Sequence, residues 1–295
     1  EADRYRYLVN SADAYRKINE KFKIVPGILP CSIARDIDYH GFVFNHSMSH
    51  FDIPGRTVSD LWCGGDNKIN YEMRLKQFGD SWYYKDRPLV YNINDYGYRA
   101  PKFSSIKSWK NTIPVFGCSI VFGVGSCEED LFATMLQEST NRQTINFGFP
   151  SGSNHVILRN IVALINFVDP KDFPEYIVIG WTFTDRTPHY TFERESHLGS
   201  WSSSGPMKDV IHSDFYLNRN YTDYHGATES WYIRDVVRTL LNGRCKLIEY
   251  SSALSHLFHC KKIDIDQNEP KARDGLHPGR AWHQRVHDCL RGEII

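Results

Sequence analysis

Short apolar runs alternate with longer amphipathic stretches from residue 111 onward, and this alternation limits the folds that the chain can adopt. The apolar runs at 113–116, 144–147, 176–180 and 246–250 predict buried strands. The amphipathic stretches predict helices near 126–136, 153–168, 233–241 and 282–290; residues 126–129 match a capping box, and Ser153 or Asn154 can cap the second helix. Strands that alternate with helices form a parallel sheet covered on both faces. The sequence therefore predicts an α/β fold, a three-layer α/β/α sandwich with a parallel sheet.

The first 105 residues differ in character, being rich in aromatic and turn-forming residues with few periodic segments. A helix is predicted near 11–22, and short extended segments are predicted near 41–45 and 89–93, broken by Pro, Gly and Asn-Asp. We therefore expect a smaller, irregular or β-rich N-terminal accessory region, residues 1–105, ahead of an α/β domain, residues 106–295.

Charge and hydropathy argue against two classes of partner. Lys plus Arg number 35 and Asp plus Glu number 35, so the formal net charge is zero. A neutral chain gives no electrostatic reason to expect nucleic acid or an anionic membrane as a partner. No apolar stretch approaches the roughly 20 residues that cross a bilayer, and the first residues do not resemble a signal peptide.

The cysteines indicate the redox environment. The seven cysteines are scattered and never spaced C-x-x-C, which argues against a zinc ribbon or a disulfide scaffold. Free thiols in a reducing compartment are expected. The sequence does not specify a location, and a cytoplasmic or virion-associated one is favoured.

Several polar residues directly follow predicted strands. Ser119 lies on a Gly-rich turn after the first strand, Gly148 and Gly152 follow the second, and Thr182 follows the third. The carboxyl ends of parallel strands share one edge of the sheet, where active sites of such folds lie. Asp274 and His277 are three residues apart on one late loop, so both side chains can project toward a third site. A hydroxyl, a base and an orienting carboxylate are what nucleophilic acyl transfer requires.

Four stretches occur in the order seen in a known superfamily. Residues 117–123 carry Ser119 after Cys118, residues 146–154 contain Gly152, residues 180–186 contain Thr182, and residues 274–278 contain Asp274 and His277. Together they resemble the nucleophile block, the second block, the third block and the last block of the SGNH/GDSL hydrolase superfamily. Two positions depart from its pattern, because Cys118 replaces the usual Asp and Thr182 replaces the usual Asn. Residues 91–99 resemble an N-x-x-G-[FY]-R lead-in, and the W-T-x-x-D-R stretch at 181–186 is similar to divergent members from bacteria and their phages.

The resemblance implies an SGNH/GDSL-type esterase or deacetylase that cleaves an ester or O-acetyl group. It assigns Ser119 as nucleophile, His277 as base and Asp274 as the carboxylate that orients the base. It places the N–H groups of Ser119 and Gly152 in the oxyanion hole, together with Thr182 or Asn154. It implies no metal and no organic cofactor. The expected substrate is a small-molecule or carbohydrate ester, with O-acetylated carbohydrate as the first choice because the segment 187–232 is rich in aromatic residues.

Other interpretations remain open at this point. Ser119 could be an ordinary turn serine, Gly152 could serve only a tight turn, and Asn154 could be a helix cap instead of an oxyanion donor. His283 and His287, one helical turn apart, lack a third ligand at fitting spacing, which favours a solvated helix face. The rival function is a non-catalytic structural or carbohydrate-binding protein, such as a virion component, whose N-terminal region docks to a larger assembly. An acyltransferase would use the same triad.

Overall fold

The computed structural model describes residues 42–43, 55–59, 66–184, 186–190, 195–198, 223–252 and 255–295. The helix predicted near 11–22 lies outside the described residues, and so does most of the extended segment predicted near 41–45. Among the described residues, no helix combines the length and the apolar character that crossing a bilayer requires.

A small antiparallel sheet and a helix precede the main sheet. The strands β1 (Thr57–Ser59) and β2 (Val90–Asn92) pair antiparallel, which confirms the extended segment predicted near 89–93. Between them lies α1 (Lys68–Phe78), where the Asn67 side chain caps the helix by accepting a hydrogen bond from the Asn70 N–H.

The main sheet has five parallel strands. They are β3 (Thr112–Gly117), β4 (Gln143–Gly148), β5 (Tyr176–Trp181), β8 (Lys246–Ser251) and β9 (Lys261–Lys262). The first four are the strands that the apolar runs predict. Two further strands, β6 (Thr187–Tyr190) and β7 (Glu195–Leu198), pair with each other.

The strand order creates a crevice at one edge of the sheet. The order is β4-β3-β5-β8-β9, and every pairing within it is parallel. Connections from β3 and from β5 therefore leave in opposite directions across the sheet. In open parallel sheets, ligands bind at such a reversal, beyond the carboxyl ends of the strands. Ser119 follows β3 and Thr182 follows β5, so both lie at this point.

Helices cover both faces of the sheet, which confirms the three-layer prediction. They are α2 (Ser119–Phe122), α3 (Phe132–Thr140), α4 (Asn154–Phe167), α5 (Asp223–Leu241), α6 (Ser255–Phe258) and α7 (Arg280–Ile294). On one face, α3 and α7 bury Val115, Val178 and Ile248 of the sheet in an apolar core. Side chains of alternate residues point to the opposite face, where Phe116 stacks on Phe147 with ring centroids 4.7 Å apart. The helices α4 and α5 pack together and form the third layer.

Residues upstream of β3 pack on the second face of the sheet. Phe103 lies 4.9 Å from the ring of Phe147, and Phe42 lies 5.6 Å from the same ring. The Asp172 carboxylate accepts hydrogen bonds from the backbone N–H groups of Trp109 and Lys110. The division at residue 105 therefore stays a prediction, since aromatic packing continues across it.

The capping box predicted at 126–129 is wrong. Residues Glu128–Asp130 form one turn of 3₁₀ helix, and α3 begins only at Phe132, with Leu131 at its N-cap. Ser126 belongs instead to a tight turn: its N–H donates to the Gly123 carbonyl, and its carbonyl accepts from the Arg99 guanidinium. Tertiary contacts therefore override the local signal. At the next helix Ser153 occupies the N-cap position, although its side chain makes no capping bond, and Asn154 starts α4.

His283 and His287 of α7 are 1% and 7% exposed, so the expectation of a solvated helix face is wrong. Each of the two rings has its own partner. The ring nitrogen Nδ1 of His283 accepts a bond of 3.4 Å from the Phe132 N–H, whereas Nε2 of His287 lies 3.0 Å from the Ser139 hydroxyl. Burial lowers the pKa of His283 to about 3, helped by the positive charges of Arg99 and His277. His283 is therefore neutral in the folded protein at any pH near neutrality.

We expect His283 to make the protein sensitive to mild acid. Its folded pKa of about 3 lies below the ordinary value of 6.5. The unfolded chain therefore takes up the proton first, and stability is lost as the pH falls from 6.5 toward 3. Between pH 7 and pH 5 the free energy of unfolding should fall by about 2 kcal/mol from this residue. Urea unfolding of the wild type and of His283→Gln at both pH values measures this loss. An equal loss in both proteins would contradict the assignment.

Candidate active site

Ser119 stands at the sharp turn between β3 and α2. The strand ends at Gly117, Cys118 takes the extended N-cap conformation, and Ser119 is the first residue of the helix. Its side chain is nearly buried, with 8% of the residue exposed. The turn therefore presents the Ser119 hydroxyl at the crevice between the ends of β3 and β5.

The neighbouring strand β4 holds this turn in place. The Asn146 side chain donates to the Val121 carbonyl at 2.8 Å and accepts from the Gly148 N–H at 2.8 Å. Gly148 lies so close to α2 that a Cβ atom there would come within 2.1 Å of the Phe122 nitrogen. Only glycine permits this approach. Asn146 lies in the block that resembles the family's second block, but its supporting role is not visible in the sequence, because it depends on the contact between two elements.

Asp274 shapes the loop that carries His277. Its Oδ1 accepts hydrogen bonds from the N–H groups of Leu276 at 2.9 Å and His277 at 3.0 Å. Two backbone bonds close the loop, since the Ala272 N–H donates to the His277 carbonyl and the Gly275 N–H donates to the Ala272 carbonyl. The loop therefore fixes both side chains relative to each other.

The structure brings Ser119, His277 and Asp274 together in one chain of hydrogen bonds. His277 Nε2 lies 2.8 Å from Ser119 Oγ, across 158 residues of sequence. On the other side of the ring, Nδ1 lies within hydrogen-bond distance of Asp274 Oδ2. Burial raises the pKa of Asp274, but the hydrogen bond and charge of His277 and the two backbone N–H groups outweigh burial and hold that pKa below its usual value. An ionised carboxylate in this place fixes the imidazole with its proton on Nδ1.

Two residues expected in the oxyanion hole use their polar groups inside the protein. The Gly152 N–H donates to the Phe149 carbonyl at 2.8 Å and closes a tight turn. The Asn154 amide bonds to the backbone of Thr182, accepting from its N–H at 3.1 Å and donating to its carbonyl at 3.3 Å, and it also donates to Ser230 Oγ at 3.1 Å. In this arrangement Asn154 holds the residue that follows β5.

Thr182 is buried and contacts an arginine for which the sequence predicts no role. Arg186 donates through Nη1 to Thr182 Oγ1 at 3.0 Å and to the Gly152 carbonyl at 3.2 Å, and its guanidinium lies 5.1 Å from the centre of the Phe183 ring. Because Thr182 Oγ1 accepts from Arg186, its own proton is left to donate elsewhere. The W-T-x-x-D-R stretch is the sequence signal that contains both residues.

The thiol next to Ser119 has an unusual environment. Burial raises the pKa of Cys118, but the positive charge of Arg186 and a hydrogen bond from Thr182 outweigh burial, so that its pKa lies below the usual value. Burial dominates at Cys127 and raises its pKa to about 11. The site around Ser119 therefore favours negative charge.

Little of the aromatic segment expected to line a substrate pocket falls within the described residues. Trp201, Tyr216 and Tyr221 lie outside them. Trp181 is buried and donates to Glu249, whereas Trp231 is 54% exposed on α5. In the part of the chain that the structure describes, no cluster of three His, Cys, Asp or Glu side chains could hold a metal ion.

Among the comparisons with known proteins, the comparison with solved structures is the one that finds similarity. No protein-family model matches the chain, and no curated protein matches it in sequence. A lipolytic protein of the G-D-S-L family from Veillonella parvula is similar with a TM-score of 0.38 and 12% identity, over 61% of this chain and 95% of that chain. A putative lipolytic protein of the same family from Desulfitobacterium hafniense has a TM-score of 0.39 and 9% identity, over 63% of this chain and 99% of that chain. A carbohydrate esterase described as having catalytic and non-catalytic binding functions has a TM-score of 0.44 and 12% identity, over 71% and 80%.

We expect Gly148→Ala to disrupt the serine turn. The added methyl group would overlap the backbone of Phe122, so the free energy of unfolding should fall by about 3 kcal/mol or more. Gly292→Ala is the matched control, because a Cβ there meets nothing within 4 Å, and alanine favours the helix by about 0.5–1 kcal/mol. Urea unfolding compares the two variants. Equal stability would show that the close approach of α2 and β4 does not constrain the turn.

Proposed function

We propose that the chain is a serine hydrolase of the SGNH/GDSL esterase or deacetylase type, which cleaves an ester or O-acetyl group. The single observation that carries this proposal is the continuous hydrogen-bond chain from Ser119 through His277 to Asp274. It stands at the carboxyl edge of a parallel sheet, where substrates of such folds bind. The order of the four sequence blocks supports the same function.

The residues divide the reaction between them. Ser119 Oγ attacks the ester carbonyl while His277 Nε2 takes its proton. The same nitrogen then returns that proton to the leaving alcohol, and an acyl group remains on Ser119. A water molecule, deprotonated by His277, attacks the acyl-enzyme carbonyl. The bond between the acyl carbon and Ser119 Oγ then breaks, His277 returns the proton to Oγ, and the acid is released. Asp274 stays ionised and holds the imidazole in the required tautomer. No step requires a metal or an organic cofactor.

Two hydrogen-bond donors near the Ser119 hydroxyl can stabilise the oxyanion. The Ser119 N–H and the Thr182 hydroxyl are the donors we assign, and the hydroxyl turns from the Cys118 sulfur toward the substrate oxygen. Arg186 places its positive charge behind that hydroxyl and strengthens it as a donor. Gly152 and Asn154 do not contact the oxyanion. The Gly152 carbonyl binds Arg186, and the Asn154 side chain binds the backbone of Thr182.

The preferred substrate is an O-acetylated carbohydrate. Phe183 is 40% exposed and Leu276 is 68% exposed, and they adjoin Thr182 and His277 respectively, so apolar surface flanks the catalytic groups. An acetyl ester requires only a small space beside Ser119, which is itself nearly buried. Transfer of the acyl group to an alcohol instead of water would use the same first half-reaction, and product analysis distinguishes the two.

We expect Ser119→Ala to abolish both ester hydrolysis and labelling by a fluorophosphonate. Loss of the nucleophile should lower kcat by about 10⁴–10⁶-fold on a small acetyl ester. The chain contains a matched control, because Ser139 Oγ lies 3.0 Å from His287 Nε2 and Asp288 lies 2.9 Å from the same ring, away from the sheet edge. Ser139→Ala should keep full labelling and activity.

The labelling test also separates the hydrolase from its rival. A wild-type protein that binds acetylated carbohydrate but never reacts with the fluorophosphonate would be a non-catalytic carbohydrate-binding or structural protein. Labelling that persists in Ser119→Ala would remove Ser119 as the nucleophile.

We expect Thr182→Val to lower kcat by about 10- to 100-fold with little change in KM. The variant keeps the side-chain shape and removes a donor that matters mainly in the transition state. Thr182→Ser restores the hydroxyl and should recover most of the rate. Arg186→Gln should lower kcat in the same direction, whereas Arg142→Gln, which removes an ion pair with Glu175, should not. If Thr182→Val and Thr182→Ser have equal kcat, the hydroxyl takes no part in the reaction.

A further inference from the structure

Arg273, the residue before Asp274, forms a buried ion pair with the N-terminal third of the chain. Its Nε donates to Asp66 Oδ1 and its Nη2 donates to Asp66 Oδ2, each at 2.9 Å. Both side chains are 1% exposed. A bidentate pair of this kind fixes geometry, and loss of one partner leaves an uncompensated buried charge. The backbone next to Asp274 is therefore tied to a residue 207 positions away.

A second tie reaches the same loop through Gly125. The Gly125 N–H donates to the Tyr91 hydroxyl at 3.0 Å, and the Gly125 carbonyl accepts from the Arg273 N–H at 2.8 Å. Gly125 has a φ of 73°, and a Cβ there would lie 3.1 Å from the Asp274 nitrogen. Gly125 therefore links Tyr91 to Arg273 through its own backbone and packs closely against the start of the His277 loop.

Arg99 fixes the other side of this arrangement. Its guanidinium lies 4.4 Å from the centre of the Tyr91 ring and donates to the carbonyls of Gly123 and Ser126, each at 3.1 Å. Arg99 therefore connects the turn at 123–126 to the Tyr91 ring. Arg99 belongs to the N-x-x-G-[FY]-R stretch, which contributes no group to the steps of the hydrolytic mechanism.

We infer that Asp66 and Tyr91 are positioning residues, which set the place of the Asp274–His277 loop relative to Ser119. Neither touches the reacting atoms. They act through Arg273 and Gly125, and they keep His277 Nε2 within hydrogen-bond distance of Ser119 Oγ. The catalytic consequence rests on the proposed function, whereas the effect on the loop does not.

Tyr91→Phe tests the inference with a small change, and Tyr98→Phe is its matched control. Both tyrosines are fully buried and lie seven residues apart in sequence. The Tyr98 hydroxyl bonds to Val43 and Asn160 on the second face of the sheet, and Asn160 donates to it at 2.8 Å. Each variant therefore loses one buried hydroxyl, but only Tyr91→Phe removes the bond to Gly125.

Two measurements are made on both variants. The first is amide hydrogen exchange of residues 271–278, and the second is kcat and KM on a small acetyl ester, at a temperature below the Tm of either variant. We expect Tyr91→Phe to speed exchange in the loop about tenfold and to lower kcat about 10- to 100-fold with KM unchanged. Tyr98→Phe should leave loop exchange and kcat within about twofold of the wild type, even if its Tm falls as much as that of Tyr91→Phe. Asp66→Asn should act in the same direction as Tyr91→Phe and more strongly; if it fails to fold, Tyr91→Phe alone decides.

Equal loop exchange in the two variants would overturn the inference, and so would faster exchange with unchanged kcat. A wild-type protein that neither hydrolyses esters nor reacts with a fluorophosphonate would remove the proposed function instead. In that case hydrogen exchange alone decides whether Tyr91 fixes the loop.

Discussion

The parallel pairing of β3 with β4 on one side and β5 on the other is the constraint on which the site depends. It places the ends of three strands side by side, so that the segments after them lie within contact of one another. Gly148 then allows α2 to approach β4, and Asn146 bonds the two together. The position of the Ser119 backbone follows from these contacts, and the bond to His277 Nε2 then places its hydroxyl.

Buried charge is concentrated around this edge of the sheet. Arg99 donates only to carbonyl groups among the hydrogen bonds described, whereas Arg273 has the Asp66 carboxylate. Burying a guanidinium costs free energy unless its N–H groups are satisfied, so these arginines add little net stability. Their hydrogen bonds connect the neighbouring loops to one another.

Local patterns predicted the four main strands and the strand-end position of Ser119, because apolar runs have a short-range physical cause. The roles of Ser119, Asp274 and His277 came from their spacing and from the order of the four blocks that resemble a known superfamily. Local patterns failed at residues 126–129, where a contact from Arg99 overrides the capping signal. The oxyanion role of Gly152 came from the family resemblance and stays a prediction, and in the structure the Gly152 N–H closes a turn onto Phe149. The pairs Asp66–Arg273 and Tyr91–Gly125 were not predictable, since no periodicity links residues so far apart. Their detection requires the folded chain.

The pairing of Asp66 with Arg273 also has a consequence in time. During synthesis the carboxylate leaves the ribosome long before its partner, because 207 residues separate them. At typical elongation rates the delay is about 10–40 s. Until then Asp66 remains hydrated, and the loop that carries His277 does not exist. The carboxylate therefore precedes its partner by most of the domain, and the hydrogen-bond chain from Ser119 through His277 to Asp274 can form only after residue 277 has been added.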